Sequence, residues 1–158
     1  ENTVELYFGE NQILFSYQNT ELVSRLIEGQ YPDYEQIIPK EHKTTMKVAA
    51  SAFVKAVKTA SIFSRSGIYD IRLKFDPAKG TVLVSSENNQ LGENESEVQG
   101  QGEGAENEIV LNYRFLLDGL QSIRSEEVEL LVNAPDAPCL LRGANEQNHL
   151  YIIMPIKQ

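Results

Sequence analysis

The sequence predicts an α+β fold: two β-α-β-β-β units with paired sheets and two helices on one face, preceded by the strands of an incomplete domain. Three observations predict it. Apolar residues alternate or run in short blocks through most of the chain, as strands require. Two stretches switch instead to helical spacing, and they begin about 60 residues apart. After each of them the chain returns through three short strand patterns, so the same order of elements is written twice.

The chain opens with strand patterns at VELYF and QILFSY around the turn GEN, followed by ELVSRLI before Gly29. Residues 1–28 therefore supply three strands with no helix, as though an earlier copy of the unit were entered partway. Residues 29–43, GQYPDYEQIIPKEHK, carry prolines and no period, and read as a linker. Residues 44–158 then hold the complete double unit. TTMKVAA is its first strand. SAFVKAVKTASIF places Phe53, Val54, Val57, Ala60 and Ser61 on one stripe, with Ser51 as N-cap. YDIRLKF and GTVLVSS come next, joined by the turn DPAKG, and ENESEVQGQG is the third returning strand. NEIVL opens the second copy. Its helix, NYRFLLDGLQSI, has Asn112 as N-cap and turns Phe115, Leu116, Leu120 and Ile123 inward; EVELLV, PCLLRG and HLYIIMP complete it. Sheets paired side by side bury both apolar helix stripes.

Of 158 residues, 41% are hydrophobic and 23% charged, which is globular composition. The apolar runs fall far short of the roughly 20 residues a membrane span needs. Nothing at the start resembles a secretory signal. A single cysteine, Cys139, forms no internal disulfide, and with the distant His42 and His149 it makes no metal set, so no cofactor or metal is expected and the compartment reads as a reducing cytoplasm. Net charge is -9, but its distribution matters more than the sum. Seven acids and no Lys or Arg lie between Glu87 and Glu108, whereas Lys40, Lys43, Lys47, Lys55 and Lys58 face one acid, Glu41. One face can be basic while another is acidic.

No catalytic residue emerges. GQGEGA at Gly100 to Ala105 lacks the spacing and the lysine of a phosphate loop, sits among acids, and reads as a flexible hairpin. There is no G-x-S-x-G elbow, and neither histidine has a sequence partner for a triad. Cys139 lies in an apolar strand and reads as core.

The linker LIEGQYPDYEQIIP and the ending YIIMPIKQ, with the two helices and their three-strand returns between, resemble the bacterial DNA polymerase III β subunit, the sliding clamp. The resemblance covers essentially the whole chain. It implies a DNA-clamp fold, in which residues 1–28 are the last strands of a middle domain, 29–43 the interdomain linker and 44–158 the C-terminal domain. It implies a non-catalytic processivity factor whose full-length homodimer closes into a ring around duplex DNA, without sequence preference. The polymerase III α and δ subunits and other proteins with a clamp-binding motif would be its partners, and no membrane is involved. They dock a peptide in a pocket lined, by the resemblance, by Pro32, Gln36, Ile37, Asn112, Phe115, Pro135, Ala137, Ile152, Ile153, Met154, Pro155 and Ile156. Gln36 stands where the family often has a basic residue, and Phe115 where Tyr is common. Lys55, Lys58, Arg114 and Arg124 would face DNA; Ile62, Phe63, Glu93 and Glu95 would meet the neighbouring subunit. A free-standing β-rich protein-binding module with no DNA role stays open beside it, and Tyr151 to Met154 also fit a plain core strand.

Overall fold

In the computed structural model, which describes residues 3–31, 33–146 and 148–157, the chain divides into two units, Glu1–Tyr34 and Glu35–Gln158. The first is an antiparallel meander of β1 (Glu5–Phe8), β2 (Gln12–Tyr17) and β3 (Thr20–Arg25), with Leu6 opposite Phe15 and Leu14 opposite Val23. Residues of β1 and β3 are exposed throughout and those of β2 are at most half-buried. A 3-10 turn follows at Tyr34–Gln36.

The second unit contains the predicted repeat. Its first copy is β4 (Thr44–Ala49), α1 (Ala50–Ser61), β5 (Asp70–Asp76), β6 (Thr81–Asn88) and β7 (Gly92–Gly104). The second is β8 (Asn107–Asn112), α2 (Tyr113–Ser122), β9 (Glu127–Val132), β10 (Cys139–Gly143) and β11 (Tyr151–Ile153). The strands pair in the order β11-β10-β9-β4-β7-β6-β5-β8, every pair antiparallel. Two four-stranded halves thus meet where β4 pairs with β7. The Ile156 N–H donates to the Val110 carbonyl at 2.8 Å, so the chain after β11 also reaches β8, the outermost strand of the other half.

Alternation decides which faces are buried. Met46 and Val48 of β4, Ile71, Leu73 and Phe75 of β5, and Val82 and Val84 of β6 point inward at every second position. Phe53, Val57 and Ala60 of α1 and Leu116 and Leu120 of α2 pack on them in one cluster. Cys139 is buried there too, as read, and its burial pushes the thiol pKa up to about 12.

Three readings need correction. Ser51 does not cap α1: the N-cap is Ala49, without a side-chain cap bond, while the Ala50 N–H donates to the Glu126 carbonyl at 2.8 Å. The segment entering β9 does the capping, a tertiary contact that local spacing cannot reveal. Phe115 does not face inward; it is 57% exposed, because Leu116 one position on takes the inward direction. Gly100 to Gly104 are no flexible hairpin but the end of β7, paired with β4. There β7, paired with β6 through Gln99, takes up β4, and a side chain would not fit. A Cβ on Gly102 would lie 2.0 Å from Met46 Sδ, and one on Gly100 2.3 Å from the Lys47 carbonyl oxygen. Those glycines let the sheet halves close on each other.

Candidate docking surface and helical face

Three segments of the second unit converge around the chain end. Cys139 lies opposite Ile153, so the antiparallel register carries Ala137 and the turn before it alongside Met154 and Pro155. The turn is closed by the Ala137 N–H donating to the Ala134 carbonyl at 3.1 Å, and Pro135 is exposed at its tip. The bond from Ile156 to Val110 then lays the tail beside β8, two residues before Asn112. Asn112 caps α2 as read: its Oδ1 accepts from the Arg114 N–H at 2.9 Å, and its Nδ2 donates to the Ile68 carbonyl at 3.3 Å. One turn of helix thereby presents Phe115 to solvent. Ile153 is buried, whereas Met154 is 59% exposed.

The structure therefore sets Pro135 and Ala137 beside the residues from Ile152 to Ile156, and lays that tail beside β8, whose last residue, Asn112, caps the helix that exposes Phe115. Gln36 and Ile37 lie midway along the linker, in and just after the 3-10 turn, with Ile37 partly exposed. Pro32 lies outside the described residues. Asn133, at the start of the same turn as Pro135, ties the linker down by donating to the Glu41 carbonyl and accepting from the Lys43 N–H. Sequence reasoning missed it, since an Asn after a strand signals only a turn.

Tyr69 was missed as well. It adopts a left-handed φ of 60°, and its carbonyl accepts from the Tyr113 N–H at 2.8 Å. Its ring meets Tyr113 edge-on at 5.9 Å and lies 3.5 Å beneath the Arg114 guanidinium. The hydrogen bond to Tyr113, with the neighbouring Tyr69, raises the Arg114 pKa further and keeps it charged.

Five cations are engaged by carboxylates, and none of the five lies on a helix. Lys47, Arg65, Arg72, Lys79 and Arg142 each contact a carboxylate, from Glu127, Asp70, Glu108, Asp76 and Glu129 respectively. All five lie on strands or on segments leading into them. Lys55 and Lys58 on α1, Arg114 on α2 and Arg124 just beyond it are exposed, and among the described residues none has a carboxylate ion-pair partner. A shallow groove of about 360 Å³ along α1 is lined by Ser51, Val54, Lys55, Lys58, Thr59 and Ile62. Asp118 is also exposed on α2 and offsets part of this charge.

Ile62 is 65% exposed at the end of α1, and Phe63 is half-buried, its ring close to Gly92 at the start of β7. Glu93 and Glu95 are exposed on β7, in the stretch that pairs with β6 while β4 joins only from Gly100 onward. That half of β7 has an open edge. Glu87 stands directly opposite Glu93, a like-charge pair that a cationic partner would relieve.

Folding also brings Ser122, His149 and Glu146 together, with Ser122 Oγ 3.5 Å from His149 Nε2 and Glu146 3.6 Å from Nδ1. The Ser122 proton is already donated to the Gly119 carbonyl at 2.7 Å, so this hydroxyl is not poised as a nucleophile. Among the described residues no group of three or more His, Cys, Asp or Glu is placed to hold a metal, and no helix is long and apolar enough to cross a membrane.

Comparison with known proteins gives a consistent set of likenesses. The family model for the DNA polymerase III beta subunit, C-terminal domain, matches residues 35–157. The beta sliding clamp of Staphylococcus aureus is 28% identical over 158 residues, and that of Synechococcus elongatus 26% over 157; each match spans 99% of this chain. This chain spans about 42% of the length of those relatives. The DNA polymerase sliding clamp of Bacillus subtilis superposes with a TM-score of 0.87 at 29% identity, over 98% of this chain and 41% of that one. The Pseudomonas aeruginosa clamp bound to griselimycin gives 0.89 at 25%, over 100% and 42%.

Proposed function

We propose, from the premise that this chain belongs to the DNA polymerase III β subunit family, that it is the C-terminal part of a sliding clamp that encircles duplex DNA and tethers replication proteins to it. In this reading residues 1–28 close a middle domain, 29–43 link it to the third, and 44–158 are that third domain. The protein works without catalysis, as a ring of two chains.

The exposed cations of the two helices carry the reading. A clamp must hold DNA yet slide, so it needs charges that attract phosphate at long range and make no base-specific bonds. Lysines already paired with carboxylates serve that poorly. Lys55 and Lys58 on α1, Arg114 on α2 and Arg124 just beyond it have no carboxylate ion-pair partner among the described residues, while the acids of β7 lie on a different element. The chain end supplies the second half of the function. Phe115, Met154 and Pro155, beside the turn of Pro135 and Ala137, form an apolar surface for the hydrophobic anchors of a partner peptide, with Gln36 and Ile37 of the linker as its further wall. The polymerase III α and δ subunits are the partners expected there. Ile62, Phe63, Glu93 and Glu95 would meet the neighbouring subunit.

The deciding experiment uses the full-length parent protein with Lys55→Glu and Lys58→Glu, loaded onto circular duplex DNA and challenged with increasing salt. Retention should fall at every salt concentration, and the salt slope should drop by about one for each lysine that neutralises a phosphate. Unchanged retention would overturn the DNA-facing assignment and favour a binding module with no DNA role.

A further inference from the structure

The chain has three sulfur atoms, and folding separates them sharply. Met46 is 0% exposed in the core against β7, and Cys139 is buried in the same cluster. Met154 alone meets solvent, at 59% exposure. That exposure is fixed by the backbone. Ile153 is locked opposite Cys139, and two residues beyond Met154 the Ile156 N–H is bonded to Val110, so the intervening side chain is held on the outer surface at both ends.

We propose that Met154 is a selective oxidation site, and that its oxidation switches the docking surface off. The inference about docking rests on the functional reading above; the inference about selectivity rests on burial alone. A peroxide-class oxidant supplies the second reactant. The thioether sulfur attacks one peroxide oxygen, the O–O bond breaks, and that oxygen stays on sulfur as the sulfoxide while its proton passes to the other, which leaves as water from hydrogen peroxide or as an alcohol from an organic hydroperoxide. Sulfur loses two electrons and the peroxide gains them. A thioether suits an apolar docking wall because it is polarizable and flexible enough to fit varied anchors. The sulfoxide places a strong hydrogen-bond acceptor at the same spot, and an apolar anchor offers it no donor. Cys139 does not compete, because its thiol is buried and stays protonated. Reduction of the sulfoxide by a dithiol-dependent reductase would restore the surface, which makes the change a reversible switch.

The test treats the chain with graded hydrogen peroxide, maps oxygen uptake by peptide mass spectrometry, and titrates each sample with a fluorescent peptide carrying the apolar anchors of a clamp-binding motif. Met154 should gain one oxygen while Met46 remains unmodified, and the peptide should bind about tenfold more weakly, as one unpaired polar oxygen in an apolar contact implies. Met154→Leu should show the same peptide affinity before and after peroxide, whatever that affinity is; Met154→Gln should bind weakly without any oxidant. Oxidation of Met46 at a comparable rate in the folded chain would overturn the selectivity. Full affinity of the chain oxidised at Met154 would overturn the switch. If the untreated chain binds no peptide, the docking reading falls and takes the switch with it, while the oxygen map still decides the oxidation site.

Discussion

Asn133 holds the backbone on both sides of His42, accepting from the Lys43 N–H at 2.8 Å and donating to the Glu41 carbonyl. The ring between them is half-buried, and its Nδ1 is buried with no hydrogen-bond partner among the described residues. Burial first, and the charge of Arg142 second, lower its pKa below the ordinary 6.5. The folded chain thus binds fewer protons at this site than the unfolded chain. Its contribution to stability is present in full above 6.5 and is lost as pH falls from there through the lowered folded value. Glu41 and Lys43 flank the ring with opposite charges, and the Arg142 guanidinium is itself engaged by Glu129 at 2.7 Å, so Arg142 stays in place through that range. Chemical denaturation between neutral and mildly acidic pH should show a stability slope that His42→Asn removes. An NMR titration placing His42 at or above 6.5 would sink this account.

At the scale of elements, α2 and β11 carry the proposed docking surface, and one glycine sets their distance. A Cβ on Gly119 would lie 2.6 Å from Tyr151 Cδ1 and 3.0 Å from Cγ, and Cγ is too near the backbone to swing aside. Replacing Gly by Ala inside a helix normally gains about 1 kcal/mol. Overpacking of this kind costs about 1–3 kcal/mol. The overlap should win, so Gly119→Ala should lower the denaturation midpoint and weaken peptide docking by displacing β11. Adding Tyr151→Leu should recover stability; a more stable single variant would mean the ring has room to move. The sequence pattern disclosed α2 and β11 but not this contact. Periodicity revealed each element and its inward face because alternation and helical spacing are local properties of the chain. It did not reveal the cap of α1, which comes from Glu126, or the closeness of β7 to β4, which depends on which strands become neighbours. The proposed docking residues were legible only through the family resemblance that the linker and the chain end carry. That the chain end lies beside both the turn of Pro135 and the strand leading to Asn112 became visible through the register of β10 with β11 and the bond to Val110.

On the scale of the whole chain, the two units differ in what holds them. Every residue of the buried cluster, from Met46 to Ile153, belongs to the second unit, and all eight strands of the large sheet lie there. The first unit has three strands with no buried residue among those described, and Leu6, Phe8, Leu22 and Val23 are all exposed. A hydrophobic core supplies most of the free energy that offsets chain entropy, and a small sheet without one is marginal in water. Residues 35–158 should therefore fold alone, with a single cooperative thermal transition within a few degrees of that of the full chain. Residues 1–34 alone should give NMR amide shifts of an unfolded peptide. If residues 1–28 close a middle domain as proposed, fusing residues 1–34 to the rest of such a domain should restore their strand signals by covering Leu6, Phe8 and their neighbours. A truncated second unit that melts broadly or much earlier would mean instead that the first three strands contribute to its stability, and the division into a closing domain and a self-sufficient one would fail.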